Sequence, residues 1–255
     1  IIQTFERTIR SVETSPGRLF QSVTQASFDT WSDGPFGRTG DELNKTVSYY
    51  QKGPVLGLLL DLKIRYETGN RKSLDDVMRR LYYDIYKAKG RGYTEREFRR
   101  ICEAAAGVPL DQFFSYVYSV QPIDYDRYLG YAGLTIDLEE KILPGASIGV
   151  QTKEKDGKLM ITKVDWNSPA WFEGIRRGQE LLRINGQPAG GDLLEIISGV
   201  ARPDDIIRLE ILANDSTRTI PLLFDRKKEI PFTIRRMPNP NNVQRAVLAG
   251  WLDEE

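Results

Sequence analysis

The chain has 255 residues, with 36 basic and 36 acidic side chains, one Cys and no His. That length accommodates two modest domains or one large one, while the lone Cys excludes a disulfide framework and any Cys-rich zinc module. Without His, neither a zinc site built on imidazole nor a Ser-His-Asp or Cys-His nucleophile can be assembled.

Zero net charge without a basic block argues against a sequence-independent nucleic-acid binder. No apolar run approaches the roughly 20 residues that a membrane span needs. The longest, Val55 to Leu62, is broken by Gly57 and Asp61.

Ile1, Ile2, Phe5, Ile9 and Val12 recur at helical spacing, so the chain opens inside a helix. With no initiator Met and no signal-peptide pattern, it reads as a C-terminal piece of a longer protein. A turn at Ser15-Pro16-Gly17 precedes a second helix carrying Leu19, Phe20, Val23, Ala26 and Trp31. Residues 32–46 read as a loop, from Gly34, Pro35, Gly37 and Gly40. A strongly apolar helix is expected from about Gly53 to Thr68, with Pro54 in its first turn and Gly69 as its cap.

Ser73 with Asp76, and Thr94 with Glu97, have the spacing of capping boxes. The first opens a stripe of Leu74, Val77, Met78, Leu81, Tyr82 and Ile85; the second opens Phe98, Ile101, Cys102 and Ala105, closed by Gly107. These stripes are core, and Cys102 within one is a buried apolar residue rather than a nucleophile. After Pro109 a shorter helix carries Phe113, Phe114 and Val117.

Near Leu134 the period changes from helical to alternating. Strands are expected at 146–152, 159–164, 180–184, 206–212 and 218–224, with turns at Asp156-Gly157, Asn185-Gly186 and Asn214-Asp215-Ser216. Short helices fall near 170–174 and 191–198. The pattern suggests a compact, partly open β-barrel with two short helices. Ile230, Phe232 and Ile234 then alternate, and a last helix carries Val243, Val247 and Trp251, too short to stand without docking on one of the domains. The expected divisions are 1–135, all-α; 136–226, β-rich; and 227–255, a strand with its docking helix.

Ser147-Ile148-Gly149-Val150, Ile161-Thr162-Lys163-Val164, Asn167-Ser168-Pro169-Ala170, Gly174-Ile175, Gly178 and Leu181-Leu182-Arg183-Ile184-Asn185-Gly186 occur in the order and spacing of a PDZ domain. The β-rich part resembles that family, with Ser-Ile-Gly-Val where many members carry Gly-Leu-Gly-Phe. The resemblance implies that a peptide C-terminus adds as a strand to the sheet edge beside a helix. The amides of Ser147, Ile148, Gly149 and Val150 would then cradle the terminal carboxylate, and Leu193, Leu194 and Ile197 would form part of the apolar wall. A framework reading stays open: Gly149 serves only its turn, and some of the three apolar side chains face the core.

The helical part carries Val47-Ser48-Tyr49-Tyr50-Gln51-Lys52-Gly53, Ser73-Leu74-Asp75-Asp76-Val77-Met78, Gly92-Tyr93-Thr94 and Phe98, with Ala26-Ser27-Phe28-Asp29-Thr30-Trp31 upstream. Followed by a PDZ-like module, this order resembles the glycyl aminopeptidase family of gluzincin metallopeptidases. The resemblance implies the end of a thermolysin-like catalytic domain, release of N-terminal Gly or Ala from a peptide or protein substrate, and zinc held by a His-Glu-x-x-His helix. That helix has no counterpart here, so it is expected before Ile1, with no metal site in this chain and no activity of the chain alone. By the same resemblance Tyr50 faces the substrate carbonyl and donates to the developing oxyanion. The alternative is Tyr50 as a core aromatic with its hydroxyl bonded to backbone, and Lys52 is expected to make a structural salt bridge or cap. A rival function is a non-catalytic adaptor whose whole role is the PDZ groove. Compartment and oligomeric state have no signal.

Overall fold

The computed structural model describes residues 1–30 and 46–253, which form two units: Ile1–Leu138 with Phe232 onward, and Glu139–Pro231. Helix and sheet are both present, as expected. The expected loop at 32–46 and Trp31 lie almost wholly outside the described residues.

The first unit is built around one helix. α1 (Ile2–Glu13) and a 3-10 turn (Pro16–Leu19) lead to α2 (Val23–Asp29) and then α3 (Tyr49–Glu67). α3 carries Val55, Leu59, Leu62 and Ile64, all fully buried, and a helix apolar on every side belongs inside a protein. It accordingly packs against α1, α2, α4 (Leu74–Arg80), α5 (Glu95–Ala106), α6 (Asp111–Tyr118), α7 (Tyr125–Gly130) and α10 (Asn242–Leu252). α3 begins four residues before the expected Gly53, so Pro54 is an interior residue and not a first-turn one.

Both expected capping boxes form, at Ser73/Asp76 and Thr94/Glu97, and Gly107 closes α5 in the left-handed conformation at φ +75°. Cys102 is wholly buried, and burial pushes its thiol up to about 12. α4 runs into a π-helical segment, Leu81–Lys87. Val77, Leu81 and Ile85, spaced four apart, form the buried line, while Met78 and Tyr82 beside it are exposed, against expectation. β1 (Leu134–Asp137) pairs antiparallel with β10 (Thr233–Arg236), and α10 docks on this same unit. The helical part is therefore not purely α.

In the second unit, β3 (Val150–Lys155), β4 (Lys158–Val164), β5 (Glu180–Ile184), β7 (Ile206–Ala213) and β8 (Ser216–Leu223) form an antiparallel path in that order, with β6 (Gln187–Pro188) beside β5. β2 (Lys141–Ser147) pairs separately with β9 (Asp225–Glu229). The expected single strand 146–152 is two strands, broken at Ile148-Gly149 where Gly149 takes φ +76°. α8 (Pro169–Phe172) and α9 (Leu193–Val200) are the two short helices. Ile161, Ile175, Leu181, Ile207, Leu209 and Ile211 centre the core. Among the described residues no helix is long and apolar enough to cross a membrane.

Candidate functional sites

In the first unit, Tyr50 is the second residue of α3 and 77% exposed. Its ring lies 4.4 Å from that of Tyr49, tilted by 33°. Interaction with the Tyr49 hydroxyl, then the Tyr49 charge, then slight burial hold the Tyr50 phenol above its ordinary pKa. At neutral pH the phenol therefore keeps its proton, so it can donate a hydrogen bond but cannot serve as a base. Of the two readings left open for Tyr50, the exposed position disagrees with a core aromatic.

The lead-in to α3 is clamped by the turn after α1. The Val47 amide donates to Gln21 Oε1 at 3.0 Å, and Gln21 is buried. Gly17 passes so close beneath Thr46 that a Cβ there would sit 1.8 Å from the Thr46 carbonyl oxygen. One turn into the helix, Lys52 is only 2% exposed. Burial lowers its pKa, the Glu13 carboxylate works against that, and Arg18 adds to it. Glu13 Oε1 accepts from the Tyr125 hydroxyl at 2.7 Å, and Glu13 Oε2 pairs with Arg18 Nε at 3.2 Å. The same Arg18 nitrogen donates to the Glu13 carbonyl at 2.9 Å. Burial, first, and the Glu13 charge push the Tyr125 phenol far up.

These residues do not suit a zinc ion. The sequence has no imidazole, the one thiol is locked in the core, and among the described residues no group of three His, Cys, Asp or Glu converges as a ligand set.

In the second unit, Gly149 satisfies two demands at once. Its φ is left-handed, and a Cβ would lie 2.1 Å from Ser168 Cβ and 2.4 Å from Ser168 Oγ. Ser168 in turn caps α8, accepting from the Trp171 amide at 3.2 Å. The loop is tied down further: the Ile148 carbonyl accepts from the Ala170 amide and the Gly149 carbonyl from the Asp165 amide. The Gly149 amide donates to Ser147 Oγ at 3.0 Å. An incoming carboxylate would compete with that hydroxyl.

Among the described residues β3 ends the sheet path, paired with β4 on one side only. Val150, Leu193 and Ile197 are half-buried on the same core. Leu194 is 6% exposed within that core and offers no side chain to a groove, so the framework role left open for the three falls to it. Ile148 is likewise a core side chain, and only its backbone can serve the loop. Ile196 and Val200, which sequence reasoning passed over, are 64% and 80% exposed one turn apart; the signal available was their i, i+4 spacing on an almost wholly apolar helix. α9 packs on β2 at Gly145, where a Cβ would meet the Ser198 carbonyl oxygen at 2.6 Å.

Residues 1–56 match the model of the M61 glycyl aminopeptidase family, which bears out the resemblance read from the sequence. The fold is similar over 97% of this chain to that of an aminopeptidase N family protein from Idiomarina loihiensis, with a TM-score of 0.81 and 20% identity, covering 43% of that chain. Human syntenin-1 is 30% identical over 121 residues, which are 44% of this chain and 41% of that protein. The chain thus spans about two fifths of the length of these relatives.

Proposed function

Taking the M61 glycyl aminopeptidase character of residues 1–56 as premise, we propose that the chain is the C-terminal part of a zinc-dependent aminopeptidase that releases N-terminal Gly or Ala from peptides. The observation that carries this reading is the exposed Tyr50 phenol at the start of α3, inside the family-matched stretch. When water adds to a peptide carbonyl, negative charge grows on the oxygen. A donor held beside that oxygen binds it more strongly as the charge grows, which lowers the barrier rather than merely tightening substrate binding. With its pKa raised above 10.0, the Tyr50 phenol keeps this proton at neutral pH.

The zinc that this family resemblance implies does not fit the donors of this chain, so its ligands belong to other parts of the whole protein, and the chain alone is inactive. The direct test is an assay of the full-length protein on peptides with N-terminal Gly or Ala, with and without a chelator. Turnover abolished by the chelator and restored by zinc supports the reading; turnover indifferent to the chelator rejects the metal.

The second unit, on the same reading, is a PDZ-like module that takes a peptide C-terminus. The unpaired side of β3 favours this, because an extended peptide can satisfy its own backbone groups along that edge. Val150, Leu193 and Ile197 would meet the last apolar side chain, and the Ile148, Gly149 and Val150 amides its carboxylate. Titration with peptides ending in an apolar residue tests it. Binding that survives amidation of the terminus would remove the carboxylate contact. The same free edge suits a non-catalytic adaptor, which peptide binding without any aminopeptidase activity of the full-length protein would favour.

A further inference from the structure

A donor to a developing oxyanion has to be held near one geometry before the reaction begins. Tyr50, 77% exposed, has little around it to choose among the staggered rotamers of its first torsion. The phenol oxygen lies on the axis of the ring, so that torsion sets where the oxygen sits. The O–H bond lies in the ring plane, so the tilt of the plane sets where the proton points.

The neighbour that makes this choice is Tyr49, the first residue of α3 and half-buried. Adjacent helical positions diverge by about 100°. Adjacent rings elsewhere in the first unit meet accordingly, edge-on: Tyr82 with Tyr83 at 5.0 Å and 82°, and Phe113 with Phe114 at 5.2 Å and 82°. Tyr49 and Tyr50 depart from that pattern. Their centroids are 4.4 Å apart and their planes 33° from parallel, so the rings meet face toward face. Such a contact needs the two side chains to lean together, and it sets ring position and ring plane at once. An aliphatic side chain of similar bulk would block a rotamer without setting the plane. We infer that Tyr49 is a positioning residue for Tyr50, its half-buried ring holding the exposed phenol in one rotamer and one plane. This rests on the reading of Tyr50 as an oxyanion donor.

The test uses the full-length protein on peptides with N-terminal Gly or Ala. An aromatic pair typically shifts a conformational equilibrium roughly 2- to 10-fold, so Tyr49→Leu should lower kcat by about that factor, with KM and melting temperature nearly unchanged. Tyr49→Phe, which returns the ring without the hydroxyl, should recover most of the loss. In a Tyr50→Phe background, Tyr49→Leu should cost nothing further; a merely structural tyrosine would cost the same in both backgrounds. Wild-type kcat in Tyr49→Leu, an equal loss in Tyr49→Phe, or the same loss with Tyr50 already replaced overturns the proposal, as does a loss of kcat matched by a loss of stability. Wild-type turnover in Tyr50→Phe alone, or a full-length protein without aminopeptidase activity, instead overturns the reading beneath it.

Discussion

Pro54 follows Tyr50 by four residues inside α3, so the helix has no amide to offer the Tyr50 carbonyl oxygen. The first turn is coupled to the rest of the helix by one rung fewer, and its placement falls to contacts from outside: Gln21 on the Val47 amide and the buried Lys52. Replacing Pro54 by Ala restores the rung. The variant should be more stable by about 1–3 kcal/mol, given the usual cost of an interior proline, and urea unfolding of this chain measures it. Unchanged or lower stability would mean that the proline ring is accommodated without loss.

The pH dependence follows from the direction of the Tyr50 shift. Only the protonated phenol can donate, and its pKa lies above the ordinary value of 10.0. In the full-length protein the loss of kcat attributable to Tyr50 should therefore have its midpoint above pH 10. A Tyr50-dependent limb near neutrality, absent from Tyr50→Phe, would contradict this sign.

Gly149→Ala places a methyl group on Ser168 and asks a non-glycine residue to hold φ +76°. Strain of this kind typically costs on the order of 1–3 kcal/mol, before any movement of the loop. Thermal unfolding of this chain should show the drop in stability. A variant as stable as the wild type would mean that the loop can give way freely.

Ser147→Ala removes the internal acceptor of the Gly149 amide. If that amide serves a peptide carboxylate, the variant should bind free-carboxylate peptides more tightly, by up to about tenfold on the usual net worth of one hydrogen bond. Amidated peptides should be indifferent, and calorimetry separates the two. Weaker binding of both kinds would show instead that the serine orders the loop.

Much of the fold is legible because local chemistry and tertiary need agree. Asp156-Gly157, Asn185-Gly186 and Asn214-Asp215 are read as turns, and both residues of each pair adopt positive φ, the conformation of tight hairpins. The capping boxes at Ser73 and Thr94 are read from side chains that satisfy amides a few residues away. Other features carry no such signature. β9 is Asp-Arg-Lys-Lys-Glu, exposed throughout, so no alternation marks it. α7 is only six residues long, so the Asp124 cap on the Arg127 amide and one short apolar face are all that mark it. α3 begins at Tyr49, five residues before a proline that local rules place in the first turn.

The site is legible unevenly for the same reason. Motif order marks Tyr50, yet a tyrosine before an apolar helix reads equally well as core, and only the three-dimensional position separates the two. Gly149 was expected for its backbone freedom, whereas its contact with Ser168 comes from a residue 19 positions on, beyond any local pattern. Leu194 and Ile196 are indistinguishable by composition but lie on opposite sides of α9.

Turnover of full-length Tyr50→Phe on peptides with N-terminal Gly or Ala tests the central claim most directly. A fall in kcat of about 10²- to 10³-fold with KM nearly constant is expected when one oxyanion donor is lost. Wild-type kcat in that variant would show that the exposed phenol takes no part in the reaction.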